Sequence, residues 1–156
     1  MIDGAKAVAL IAVLATAVVY GTDVFCAIVQ RPALANVDDR TLVAVMGNVH
    51  RYGDRRMPLP GALGFIGAAA AVALALVAGR LVTAIAAGVA VGLLLVWLVL
   101  YLRVSAPINR QLTAAARTGE VPPNARVLQS NWDRIITVRA VLQGLATAAL
   151  CLALVV

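Results

Sequence analysis

Apolar residues run almost unbroken through four stretches of the chain, about 5–29, 59–78, 81–102 and 135–155. Each is long enough, as a helix rising about 1.5 Å per residue, to cross a hydrocarbon layer roughly 30 Å thick. Only Gly79-Arg80 separates the second run from the third, a tight turn. The other two connections are longer and polar. The pattern predicts an all-α fold, an integral membrane four-helix bundle in one domain over residues 1–156, with short amphipathic helices in its two long loops. In the first loop Leu42, Val45, Met46 and Val49 recur at helical spacing up to Tyr52, and Asp38 or Asp39 can cap that helix. In the second, a short helix reaches Arg117, Gly119 to Pro123 breaks it, and helix resumes near Asn124 and runs into the fourth span.

Punctuation refines the spans. Span 1 is expected to stop at Gln30-Arg31-Pro32, because proline lacks the N–H that would continue the helix. Span 2 opens on Pro58-Leu59-Pro60 and carries Gly61, Gly64 and Gly67, small residues that let helices approach closely in lipid. Span 3 carries Gly88 and Gly92, a GxxxG match that suits a homodimer, and closes on Trp97, Tyr101 and Arg103, residue types of the membrane–water interface. Two halves then look alike: a span, a proline, a polar helical segment, an Asp-Arg pair, a span. Pro32 with Asp54-Arg55 matches Pro107 with Asp133-Arg134, as a parallel two-hairpin repeat would.

Composition strengthens the membrane reading. The 156 residues are 63% hydrophobic and 13% charged, whereas a soluble domain has about a quarter charged. The net charge of +6 comes without any basic motif interleaved with aromatics, so nucleic acid is not an expected partner. The charge is distributed by side. Lys6 and Arg80 fall at the end that carries both termini. Arg31, Arg40, Arg51, Arg55, Arg56, Arg103, Arg110, Arg117, Arg126 and Arg134 fall at the loop end. By the positive-inside rule both termini face outward and both long loops lie in the cytoplasm. The N-terminal run, with Lys6 before it and Ala15-Thr16-Ala17 within it, imitates a signal peptide. At about 24 residues it exceeds a signal h-region and reads as a retained span. Cys26 and Cys151 sit near opposite ends of their spans, with no C-x-x-C and no expected disulfide.

Candidate chemistry lies on two polar stripes. In span 1, Thr16, Tyr20, Asp23, Ala27 and Gln30 share one helical face. In span 4, Arg139, Gln143 and Thr147 continue a face begun by Trp132 and Ile136. Asp23 lies seven residues before Gln30 and Arg139 seven residues past Trp132, so each is roughly 10 Å deep. A bare charge at that depth is costly, so the two are expected to pair. That pair is either functional or internal glue between spans 1 and 4. His50, the one histidine, sits on the first loop helix, where it suits proton transfer or, alternatively, haem ligation; no metal-ligand spacing accompanies it. Asn109, just past Pro107, either points donors into the mouth of the bundle or caps the helix from Arg110. The cavity is expected between spans 1 and 4 near their loop ends.

The exit of span 1 at Arg31-Pro32-Ala33-Leu34, the run Pro107-Ile108-Asn109-Arg110-Gln111-Leu112, and Asn131-Trp132-Asp133-Arg134 through Arg139 resemble the anthrone oxygenase-like family of small four-span membrane proteins. The resemblance covers most of the chain, through short motifs. It implies a cofactor-independent oxygenase acting on an anthrone- or quinone-like polycyclic substrate, with Pro107, Asn109, Trp132 and Arg139 as the positions carried over. Such chemistry needs a base, donors for a developing oxyanion and an apolar pocket. The residues offered for it are Asp23, His50 and Arg139 as catalytic groups. Tyr20, Gln30, Asn109, Trp132 and Gln143 would contact an apolar or polycyclic small molecule. Two other classes compete: a haem or redox-cofactor protein using His50, and a non-catalytic membrane scaffold or subunit.

Overall fold

The computed structural model describes residues 4–156. These form helices and no strand. Helix α1 (Gly4–Phe25) passes through a π-helical turn, Cys26–Gln30, into α2 (Arg31–Ala35). Then come α3 (Asp39–Arg56) and α4 (Pro58–Val77). Helix α5 (Leu81–Leu100) passes through a second π-helical turn, Tyr101–Ser105, into α6 (Ala106–Thr118), and α7 (Ala125–Val155) completes the chain. Four continuous helical stretches are long and apolar enough to cross a membrane: Gly4–Ala35, Pro58–Val77, Leu81–Thr118 and Ala125–Val155. Helices α1 and α5 each pack against both α4 and α7, closing a four-helix ring, while α3 packs on α6 at the loop end.

Span 1 does not stop at Pro32, as its sequence predicts. The π-helical turn widens the helix just before the proline, and the Arg31 N–H bonds five residues back to the Cys26 carbonyl. Pro32 then sits in the first turn of α2, where its missing N–H costs little. The second half repeats the device: Ala106 N–H bonds to the Tyr101 carbonyl, and Pro107 falls in the first turn of α6. The first loop helix is also longer than predicted, reaching from Asp39 to Arg56, with the Asp38 side chain accepting from the Thr41 N–H at 2.7 Å. It is tucked against the end of the bundle, on α6, α4 and α7. Leu42, Val43, Met46 and His50 are buried, and a Cβ on Gly47 would collide with the Leu112 carbonyl and Ala116 of α6.

Packing within the spans relies on small residues. Ala9, Ala12, Ala68, Ala71, Ala87, Ala90, Ala146 and Ala153 are fully buried, whereas Leu14, Ile66, Val82 and Ile85 point outward. Lipid is as apolar as leucine, so burying a large side chain gains little there and close backbone approach gains more. Gly64 and Gly67 seat α4 on Thr16 and Ala12 of α1. Gly79, at φ 69°, takes the left-handed conformation that lets the Arg80 N–H return to the Ala75 carbonyl at 2.8 Å, which ends α4 and turns the chain into α5.

Candidate functional site

The carboxylate of span 1 is bound on both sides. Asp23 Oδ1 accepts from Arg139 Nη2 at 2.7 Å, and Asp23 Oδ2 accepts from Trp97 Nε1 at 2.9 Å. The expected pair therefore forms, and it is buried: the two side chains are 3% and 7% exposed. Arg139 also donates from Nη1 to Ser105 Oγ at 2.8 Å. Its guanidinium lies 5.2 Å from the Trp97 ring, 5.6 Å from Tyr101 and 5.7 Å from Trp132. Three aromatic faces, a carboxylate and a hydroxyl thus replace the hydration that an arginine loses inside a membrane.

A second chain of bonds lies nearer the loops. Trp132 Nε1 donates to Asn109 Oδ1 at 3.1 Å, Asn109 Nδ2 donates to Asp54 Oδ1 at 2.8 Å, and the Tyr101 hydroxyl donates to the same oxygen at 2.8 Å. Asn109 is therefore neither a cap nor a free donor. It sits inside α6 and ties α7 to α3. The His50 ring lies against Trp132, with centroids 5.4 Å apart. Only 4% of His50 is exposed, and its Nε2 has no protein partner. Burial pushes the imidazole down to about 4; the nearby Asp54 carboxylate opposes that shift and Arg139 adds to it. At neutral pH His50 is an uncharged imidazole, able to accept a proton.

These groups surround one cavity of about 460 Å³, within the size range of small-molecule sites. Asp23, Cys26 and Gln30 line it from α1 and the turn after it, His50 and Asp54 from α3, Phe65 and Ile66 from α4, Leu94, Trp97 and Leu98 from α5, and Arg139 and Gln143 from α7. The expected placement between spans 1 and 4 alone is corrected: all four membrane helices build the wall. Span 2 contributes because Gly61 and Ala62 leave room there, and no atom would lie within 4 Å of a Cβ on Gly61. Ile66 and Leu98 belong to the wall and are also 64% and 37% exposed, so the cavity reaches the lipid-facing surface between α4 and α5.

Of the residues expected to form the site, Asp23, Gln30, His50, Asn109, Trp132, Arg139 and Gln143 come together around this cavity. Tyr20 does not. Its ring packs over Gly144 of α7, where a Cβ would lie 3.0 Å from Tyr20 Cε2, because a helical step of four from Thr16 turns it out of the cavity face. Trp97, Tyr101, Ser105 and Asp54 were not expected. Trp97 and Tyr101 read as interfacial anchors, yet with Ser105 and Asn109 they recur every fourth residue. In a plain α-helix twelve residues leave the first and last roughly 120° out of phase. The π-helical turn at Tyr101–Ser105 takes up about one extra residue and returns them to one face. Five residues of the wall carry a buried polar atom without a protein partner: Thr16 Oγ1, Gln30 Oε1, His50 Nε2, Arg139 Nε and Gln143 Oε1. Among the described residues no group of three or more His, Cys, Asp or Glu side chains could hold a metal ion. No family model matches the chain, and no curated protein or solved structure does either.

Proposed function

We propose that the chain binds an apolar, ring-sized small molecule that enters from the lipid, and removes a proton from it at His50, the opening step of oxygenase chemistry on an anthrone- or quinone-like substrate. The observation that carries this reading is the cavity itself: a mostly apolar wall that gathers five side chains with unsatisfied polar atoms, a neutral histidine among them. Buried polar atoms without partners are costly in a purely structural core, and they favour a site that a ligand or solvent completes.

In this reading His50 Nε2 takes the acidic C–H proton. The Arg139 guanidinium, fixed by Asp23 and Ser105, stabilises the resulting anion through its field. The roles sketched from sequence shift accordingly. Both oxygens of Asp23 are engaged, so it positions Arg139 and is not the base. Asn109 and Trp132 bond to each other and hold the His50 wall. Molecular oxygen then adds to the carbanion carbon to give a hydroperoxide; loss of water leaves a ketone, with one oxygen atom in the product and one in the water. The loops and both termini follow the charge bias, loops in the cytoplasm and termini outside.

The test is oxygen uptake by the detergent-purified chain with an anthrone. Accelerated uptake that falls by about a hundredfold or more in His50→Gln supports the reading. A chain that binds no polycyclic ligand overturns it. A Soret band lost in His50→Gln would instead favour haem held by the same nitrogen.

A further inference from the structure

A second hollow, of about 260 Å³, lies between α3 and α6 on the other side of Asp54. Its wall is Arg51, Asp54, Arg55, Arg110, Thr113, Ala114 and Arg117. The spacing explains the convergence. Arg51 and Arg55 are one helical turn apart on α3, and Arg110, Thr113 and Arg117 follow one face of α6. Gly47 lets the two helices approach until those faces flank a common gap. Four arginines and one carboxylate therefore border it.

That carboxylate does not neutralise them. Asp54 Oδ1 accepts from Tyr101 and Asn109, which turns it toward the bundle cavity. Among the described residues none of the four arginines has an ion-pair partner, and Arg51 Nε is buried without a hydrogen bond. Arg126, at the same end, is matched by contrast: it binds Asp39 at 2.6 Å together with the Leu34 and Val37 carbonyls. Like charges held together without a counter-charge repel, and an oxyanion with several acceptor oxygens relieves that repulsion through forked, charge-assisted bonds. Helix α6 continues directly from α5, so the hollow sits at the loop end of a helix long and apolar enough to cross a membrane.

We propose that this hollow is a binding site for a phosphate monoester group, carried either by a lipid headgroup or by a soluble molecule. The site is separate from the bundle cavity and shares only Asp54 with it.

The test is calorimetric titration of the full chain in detergent with glycerol phosphate, short-chain phosphatidic acid and short-chain phosphatidylcholine. Saturable one-to-one binding of a phosphate monoester, with none of the zwitterionic lipid, is the expected result. Phosphatidic acid binding much tighter than glycerol phosphate identifies a lipid source, and equal binding a soluble one. Arg55→Gln with Arg110→Gln, both at exposed positions, should weaken binding by about tenfold or more. The charge-matched control Arg40→Gln with Arg103→Gln, outside the hollow, should keep it. No saturable binding of either phosphate, or an equal loss in the control, overturns the proposal.

Discussion

The two ends of the bundle are packed by opposite rules. Toward the termini, alanines meet alanines: Ala5, Ala75 and Ala84 form one buried cluster, and Ala9, Ala71, Ala87 and Ala153 belong to another. Toward the loops the core is made of Leu42, Met46, Leu112, Trp132 and Ile136, with Leu42, Met46, Leu112 and Ile136 wholly buried. The surroundings account for the difference. Within the hydrocarbon layer burial of apolar area gains little, and stability comes from backbones that fit closely. Helices α3 and α6 are amphipathic, with arginines on their outer faces, and beside water large side chains gain the full hydrophobic benefit of burial. The cavity lies where one rule gives way to the other. Helices held together by alanines must separate to admit Trp97, Tyr101 and Trp132, and the space left between them is lined by the polar groups.

The sharpest way to break this junction is to remove its ion pair. Arg139→Ala should cost about 3–5 kcal/mol, because Asp23 is then left charged and buried beside an indole N–H. The charge-free pair Asp23→Asn with Arg139→Gln should cost less than either single truncation to alanine. Unfolding in mixed micelles measures both. A double replacement more damaging than Arg139→Ala would show that the bond network, not charge balance, holds the spans.

The packing rules predict opposite sensitivities. At the loop end Leu112→Ala should cost about 2–5 kcal/mol through the cavity it leaves. In the alanine zone enlargement is the damaging direction. Ala68→Leu should cost about 1–3 kcal/mol by pushing α4 from its neighbours. The same micelle unfolding assay ranks the two. A harmless Ala68→Leu would mean that the alanine contacts are loose.

Much of this arrangement was readable from residue order. Four apolar runs gave the spans, and the shared depth of Asp23 and Arg139 gave their pairing, because helical rise is constant and a buried charge needs a partner. Gly64 and Gly67 of span 2 marked close packing, whereas Gly61 opens onto the cavity. Other features depended on backbone geometry that spacing does not encode. The two π-helical turns shift the phase of everything beyond them, which carries span 1 through Pro32 and brings Trp97 and Asn109 to one wall. Tyr20 was assigned by a period that tolerates steps of three or four equally, whereas the cavity face of α1 runs through Val19, Thr22 and Asp23 and leaves Tyr20 to one side. Asp54 read as half of an Asp-Arg pair, since its partners Tyr101 and Asn109 lie in the other half of the chain. The substrate class rests on the resemblance and on the cavity's character, neither of which periodicity supplies.

The smallest expected effect concerns His50, where the large-residue core borders the cavity. Its imidazole is held at about 4 by burial, against 6.5 when exposed. Between those values the unfolded chain binds more protons than the folded one, so stability rises with pH across that window. It is fully present above pH 6.5, declines as the pH falls, and levels off below about 4. At about pH 5.5 the loss relative to neutral pH should be about 1 kcal/mol. His50→Gln cannot titrate and should show a flatter profile over the same range, so the difference between the two curves isolates this group from the carboxylates. Unfolding measured from about pH 8 to pH 5 supplies both curves. Parallel curves would mean that the folded imidazole keeps its ordinary affinity for protons. His50 would then be hydrated or paired in the native state, not held in a dry cavity wall.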